Sequence, residues 1–99
     1  MTQVAVRPRA TADIAGIARH PADHAGWPVA KEYRLRSRAA FRRLAVFPDS
    51  DPPRPVLGQA VRLMAVGPYV ILHRHDRDRG TVFALRVLHG RRRLTVDAT

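Results

Sequence analysis

The stretch VFALRVL, residues 82–88, limits the possible folds more than any other part of the chain. In an extended conformation Phe83, Leu85 and Val87 fall on one side and Val82, Ala84, Arg86 and Leu88 on the other, so both faces are apolar except at Arg86. A strand of this kind needs cover on both faces and belongs in the interior of a sheet. The preceding residues supply its neighbours. Residues 61–66, a Gly67-Pro68 turn, residues 69–75, a turn over 76–80 and residues 82–89 predict a three-stranded antiparallel meander.

Upstream, Val4 and Val6 alternate with other residues in a short strand that Arg7-Pro8 ends. Pro8 suits a first helical position, and Ile14, Ile17 and Ala18 recur at helical spacing, with Asp13 early and Arg19 late to match the helix dipole. The segment HPADHAGWP, residues 20–28, reads as a loop in which Trp27 acts as a hydrophobic staple for the next element. A long helix is predicted over residues 29–47, with Tyr33, Ala40, Phe41, Leu44 and Phe47 on its apolar face and Ser37 interrupting it. Pro48 stops that helix. Residues 48–59 contain four prolines in twelve positions and are predicted to be an irregular connection. The expected fold is therefore α+β: an N-terminal strand, a two-helix hairpin, then the meander, with the helices packed on one sheet face.

Ninety-nine residues, 45% of them hydrophobic, suffice for one domain, here expected over 1–99. Cysteine is absent, so packing alone must hold the fold. The N-terminus lacks the apolar core of a signal peptide, and apolar runs such as residues 69–72 are too short to span a bilayer. A cytoplasmic location is expected, with no membrane association. The formal net charge of +10 favours an acidic partner. Lys31 is the single lysine, however, and an arginine bias beside many alanines also fits a GC-rich coding sequence.

Little in the sequence points to catalysis. His73 and His75 share a strand face, but a third ligand is lacking, so they are expected to face solvent rather than hold a metal. The serines are Ser37 and Ser50, in a helix and in the Pro-rich stretch, and no Gly-rich phosphate loop is present. No metal and no cofactor are expected. His89 is the best general acid or base, because it ends the central strand beside Gly90 and Arg91-Arg92-Arg93. Those arginines should project as a positive patch that Arg86 and Arg74 extend onto the sheet.

Four stretches carry a family resemblance: RPRATADIAGIA, FRRLAVFP, RLMAVGPYVILHR and, most specifically, VFALRVLHGRRRL. Together they resemble the ParE toxins of bacterial type II toxin–antitoxin pairs, within the RelE/ParE superfamily. The resemblance implies a toxin neutralised by a cognate, ParD-like antitoxin whose extended segment wraps the toxin in a hetero-oligomer. ParE-like toxins inhibit DNA gyrase, whereas RelE-like members of the same fold cut messenger RNA on the ribosome.

The first of these activities fits the residues better. RelE-like nucleases commonly place arginine after the hairpin tyrosine and a tyrosine near the C-terminus; here Val70 follows Tyr69 and no aromatic follows Phe83. A binding toxin is therefore expected to contact its target through Arg86, His89, Arg91, Arg92 and Arg93. Ile14, Ile17, Phe41 and Leu44 are expected to contact the antitoxin, core packing being the competing role for each. A general nucleic-acid-binding module is the weaker reading, because Phe83 and Tyr69 are committed to the sheet and leave no aromatic for stacking on bases.

Overall fold

The structure, a computed structural model, describes residues 2–18 and 38–90. In chain order it contains β1 (Gln3–Val6), α1 (Pro8–Ala18), helix α2 (residues 38–46), a 3-10 turn (Pro55–Leu57), β2 (Arg62–Val66), β3 (Tyr69–Asp76) and β4 (Thr81–His89). The expected staple at Trp27, the histidines of HPADHAGWP, Tyr33, Ser37, the N-terminal part of the long helix and the turn of the helix hairpin lie outside the described residues. None of the described helices is long and apolar enough to cross a membrane.

The four strands form one sheet in the order β1-β4-β3-β2. β4 lies inside it, parallel to β1 and antiparallel to β3, as its two apolar faces require. Gly67, at φ 58°, supplies the left-handed residue of the tight β2–β3 turn. α2 covers one face: Ala40 and Leu44 pack with Met64, Ile71, Val82 and Ala84. Val70 and Leu72 flank Ile71 in sequence and so point to the opposite face, where they meet Leu57, Val61 and Leu88.

That second face brings a correction. The Pro-rich connection is more than a link, since its Leu57 and the adjacent Val61 are almost fully buried and close the sheet on the side that α2 leaves open. Burial of each such side chain contributes on the order of 1.5–3 kcal/mol. Phe47, expected on the core face of the long helix, stands 60% exposed beyond the end of α2.

A second correction concerns β4 itself. Pairing with β3 steps from Leu72↔Arg86 to His73↔Ala84, so Leu85 has no opposite residue and forms a bulge. Simple alternation puts Val82, Ala84 and Leu88 on one face. Instead Val82 and Ala84 join the α2 side, with Val87, while Leu88 joins the other, with Leu85. One inserted residue exchanges the faces of everything beyond it.

β1 pairs with β4 only as far as Val6↔Ala84, and the Arg7 amide then donates to the Ala84 carbonyl at 3.0 Å. Past that point β4 has an open edge. α1 packs against β4 and supplies what the edge lacks, as the next section describes.

Candidate functional site

The far half of β4 is held by one side chain. Asp13 of α1 accepts hydrogen bonds from Arg86 Nε at 2.6 Å and from an Arg86 terminal nitrogen at 2.9 Å, and its Oδ2 also accepts the Val87 amide at 3.0 Å. The carboxylate thus substitutes for a missing strand, and the bidentate arginine fork fixes its plane. Burial pushes the Asp13 carboxyl up, but the hydrogen bonds from Arg86 and Val87 outweigh it and hold the group below the usual carboxylate range. The Arg86 guanidinium is held even more firmly in its charged form by the Asp13 hydrogen bond, against the opposing effect of burial.

Arg86 therefore does not extend a patch over the sheet surface: its side chain is 8% exposed and committed to Asp13. Nor does Asp13 neutralise the start of α1, because it lies beyond the first turn, which has no acidic residue. Sequence could not connect residues 73 positions apart.

At the end of β4 His89 is exposed, and its ring meets Tyr69 edge-on, with centroids 5.6 Å apart and planes at 76°. The next residue explains the His-Gly pair. Gly90 donates its amide to the Pro68 carbonyl at 2.8 Å, and a Cβ there would lie 3.2 Å from that same oxygen. The chain thus leaves the sheet pinned against the β2–β3 turn, through an approach that a side chain would crowd. Arg91, Arg92 and Arg93 follow and lie outside the described residues.

His73 and His75 overturn the expectation that they face solvent. They do share a face, but His73 is fully buried, with Nε2 3.0 Å from Asp51 Oδ2, and His75 Nδ1 lies 3.2 Å from both Asp49 oxygens. Arg43 of α2 donates to Asp51 at 2.9 Å, and Arg77 donates to Asp49 at 3.1 Å. Arg62 donates to the Asp49 and Asp51 carbonyls. Two aspartates in one loop thereby fasten α2 to β3 and β2. His73 cannot reach a substrate, so the pair has the partners of a catalytic dyad but not its access.

Burial lowers the pKa of His73 and Asp51 only partly restores it, so the ring stays neutral into mild acid. A histidine depressed in the folded state binds protons preferentially when unfolded. Its stabilising effect is complete above the ordinary histidine value near 6.5 and is lost as pH falls through the lower folded value. The wild-type melting temperature is expected to decline below about pH 6.5, and His73→Gln to flatten that decline. Parallel curves for the two proteins from pH 8 to 5 would show that His73 does not drive it.

The four residues expected to contact an antitoxin divide by burial. Ile14 is 39% exposed, Ile17 and Phe41 are half-buried, and Leu44 is 0% exposed beneath α2. Among the described residues no three His, Cys, Asp or Glu side chains gather as a metal site. What the end of β4 offers is a rigid, positively charged binding edge.

Comparison with known proteins agrees with this architecture. Residues 4–94 match the family described as the ParE toxin of the type II toxin–antitoxin system parDE. No curated protein matches the chain. Among solved structures, the chromosomal ParDE toxin–antitoxin system from P. aeruginosa superposes with a TM-score of 0.71 at 19% identity, covering 90% of this chain and 96% of that one. The toxin–antitoxin complex RelBE2 from Mycobacterium tuberculosis gives a TM-score of 0.54 at 23% identity, covering 89% and 96%. At such identities these likenesses speak to the fold, while the match over nearly the whole sequence speaks to kinship: the chain belongs to the ParE toxin family of type II toxin–antitoxin systems.

Proposed function

We propose that the protein inhibits DNA gyrase by binding it through the end of β4, in the cytoplasm, and that a cognate ParD-like antitoxin neutralises it. The family match over residues 4–94 carries this reading. The site chemistry supports it. Phosphodiester cleavage needs a base, an acid and charge stabilisation side by side. At the end of β4 His89 is the one candidate among the described residues for the first two roles, and its ring is packed on Tyr69.

In this reading His89 and Arg91, Arg92 and Arg93 contact the target, and the Asp13-bound Arg86 holds the strand that presents them. The test adds purified protein to gyrase and, separately, to translating ribosomes. Inhibited supercoiling with intact message is expected. Replacing Arg91, Arg92 and Arg93 together by glutamine should weaken that inhibition at least tenfold without lowering the melting temperature. Unaffected supercoiling with cleaved message would replace the gyrase reading by a RelE-like, ribosome-dependent endoribonuclease.

A further inference from the structure

On the sheet face opposite α2, a cleft of about 550 Å³ opens between the start of α1, the segment after the 3-10 turn and β3. Its floor is apolar, formed by Val61, Leu85 and Pro8, and its rim carries Arg7, Arg9 and Arg74. No acidic side chain lines it. Among the described residues none of these three arginines forms an ion pair. The acidic residues nearest along β3 do not compensate them: Asp76 is held by Arg79, through a contact of 3.6 Å to its side chain and a hydrogen bond from its amide. The first turn of α1 contributes no acidic residue either.

Three like charges around a concave apolar floor repel one another unless an anionic group lies between them. The volume is within the roughly 300–1,000 Å³ usual for ligand clefts. Two features choose between anions. Nothing in the lining is aromatic, and the nearby Phe83 ring is already covered by the Arg7 guanidinium at 5.3 Å, so bases have no surface on which to stack. Guanidinium forks match carboxylates in pairs, and the apolar floor suits an aliphatic side chain between them.

We propose that this cleft docks an extended acidic peptide segment of a partner protein, seating an aliphatic side chain on Val61 and Leu85 while flanking Asp or Glu carboxylates engage Arg7, Arg9 and Arg74. The site is separate from the end of β4. Arg74 pairs with Phe83, six residues and roughly 20 Å along the strand from His89, so this cleft does not depend on the gyrase reading.

The probe is a labelled peptide, Asp-Glu-Leu-Val-Glu-Asp, titrated with the full chain by fluorescence anisotropy in 150 mM salt. Its amide counterpart Asn-Gln-Leu-Val-Gln-Asn and a ten-nucleotide oligothymidylate serve as controls. The acidic peptide should bind at least tenfold more tightly than the amide peptide. Arg9→Ala with Arg74→Ala should weaken it at least tenfold while oligothymidylate affinity changes less than twofold. Both arginines are exposed, so the fold should survive; Arg74→Glu with a lysine-substituted peptide should restore binding independently of that point. Unchanged acidic-peptide affinity in the double variant would overturn the proposal. Parallel loss of peptide and oligothymidylate would overturn it in favour of nucleic acid.

Discussion

Asp13→Ala is expected to destabilise the protein by about 3–5 kcal/mol, as removal of one partner from a buried ion pair does. The alanine removes two hydrogen bonds to a guanidinium whose side chain is 8% exposed, together with the acceptor for the Val87 amide. Desolvation of the charge left behind dominates that cost. Asp13→Leu combined with Arg86→Met should therefore recover most of the loss, since no unpaired charge then remains. Urea denaturation of the three proteins measures both effects. A loss below 1 kcal/mol for Asp13→Ala would mean that water reaches Arg86 and that the edge of β4 needs no lock. The same carboxylate predicts an acid limit. Its folded pKa is depressed, so its contribution is complete above the unfolded value near 3.9 and disappears as pH falls through the folded value. Acid unfolding should therefore begin at higher pH in the leucine–methionine double variant only if other carboxylates, such as Asp49, contribute more than Asp13 does.

What was legible in the sequence was whatever depends on neighbours along the chain. The meander showed itself because Gly67-Pro68 and residues 76–80 are local turn signals and because β4 is apolar on both faces; its central position follows from that pattern alone. The His-Gly step at the end of β4 was likewise visible, though its cause, the close pass of Gly90 by the Pro68 carbonyl, was not. The bulge at Leu85 escaped notice because it belongs to the register between two strands rather than to either one. His73 looked solvent-facing because its partner Asp51 is 22 residues away, in a stretch whose prolines suggested only irregularity. Arg86 was assigned to an exposed patch for the same reason, its partner being in α1. Polar residues in a core are satisfied by long-range partners, and hydrophobic periodicity carries no signal for these.

Leu44 and Ile14 should separate the two roles that sequence assigned jointly to the apolar helix positions. Leu44 is fully buried against Met64, Ile71, Val82 and Ala84, so Leu44→Ala should cost about 2–5 kcal/mol through lost transfer energy and the cavity left behind. For a domain of this size each kcal/mol lowers the melting temperature by roughly 4–8 °C, so the variant is expected to unfold well below wild type. Ile14 has no such position. It is 39% exposed and lies outside both core clusters, so Ile14→Lys should stay within about 0.5 kcal/mol of wild-type stability. If α1 meets the antitoxin, that lysine should weaken the complex at least tenfold, because it places a charge in an apolar contact. Titration calorimetry with the antitoxin, beside denaturation of the free toxin, reads both quantities. Wild-type antitoxin affinity for Ile14→Lys would remove the exposed side of α1 from the interface. Any affinity loss in Leu44→Ala reports instead on how well the fold supports that surface, since a side chain with no exposure cannot touch a partner unless α2 lifts from the sheet.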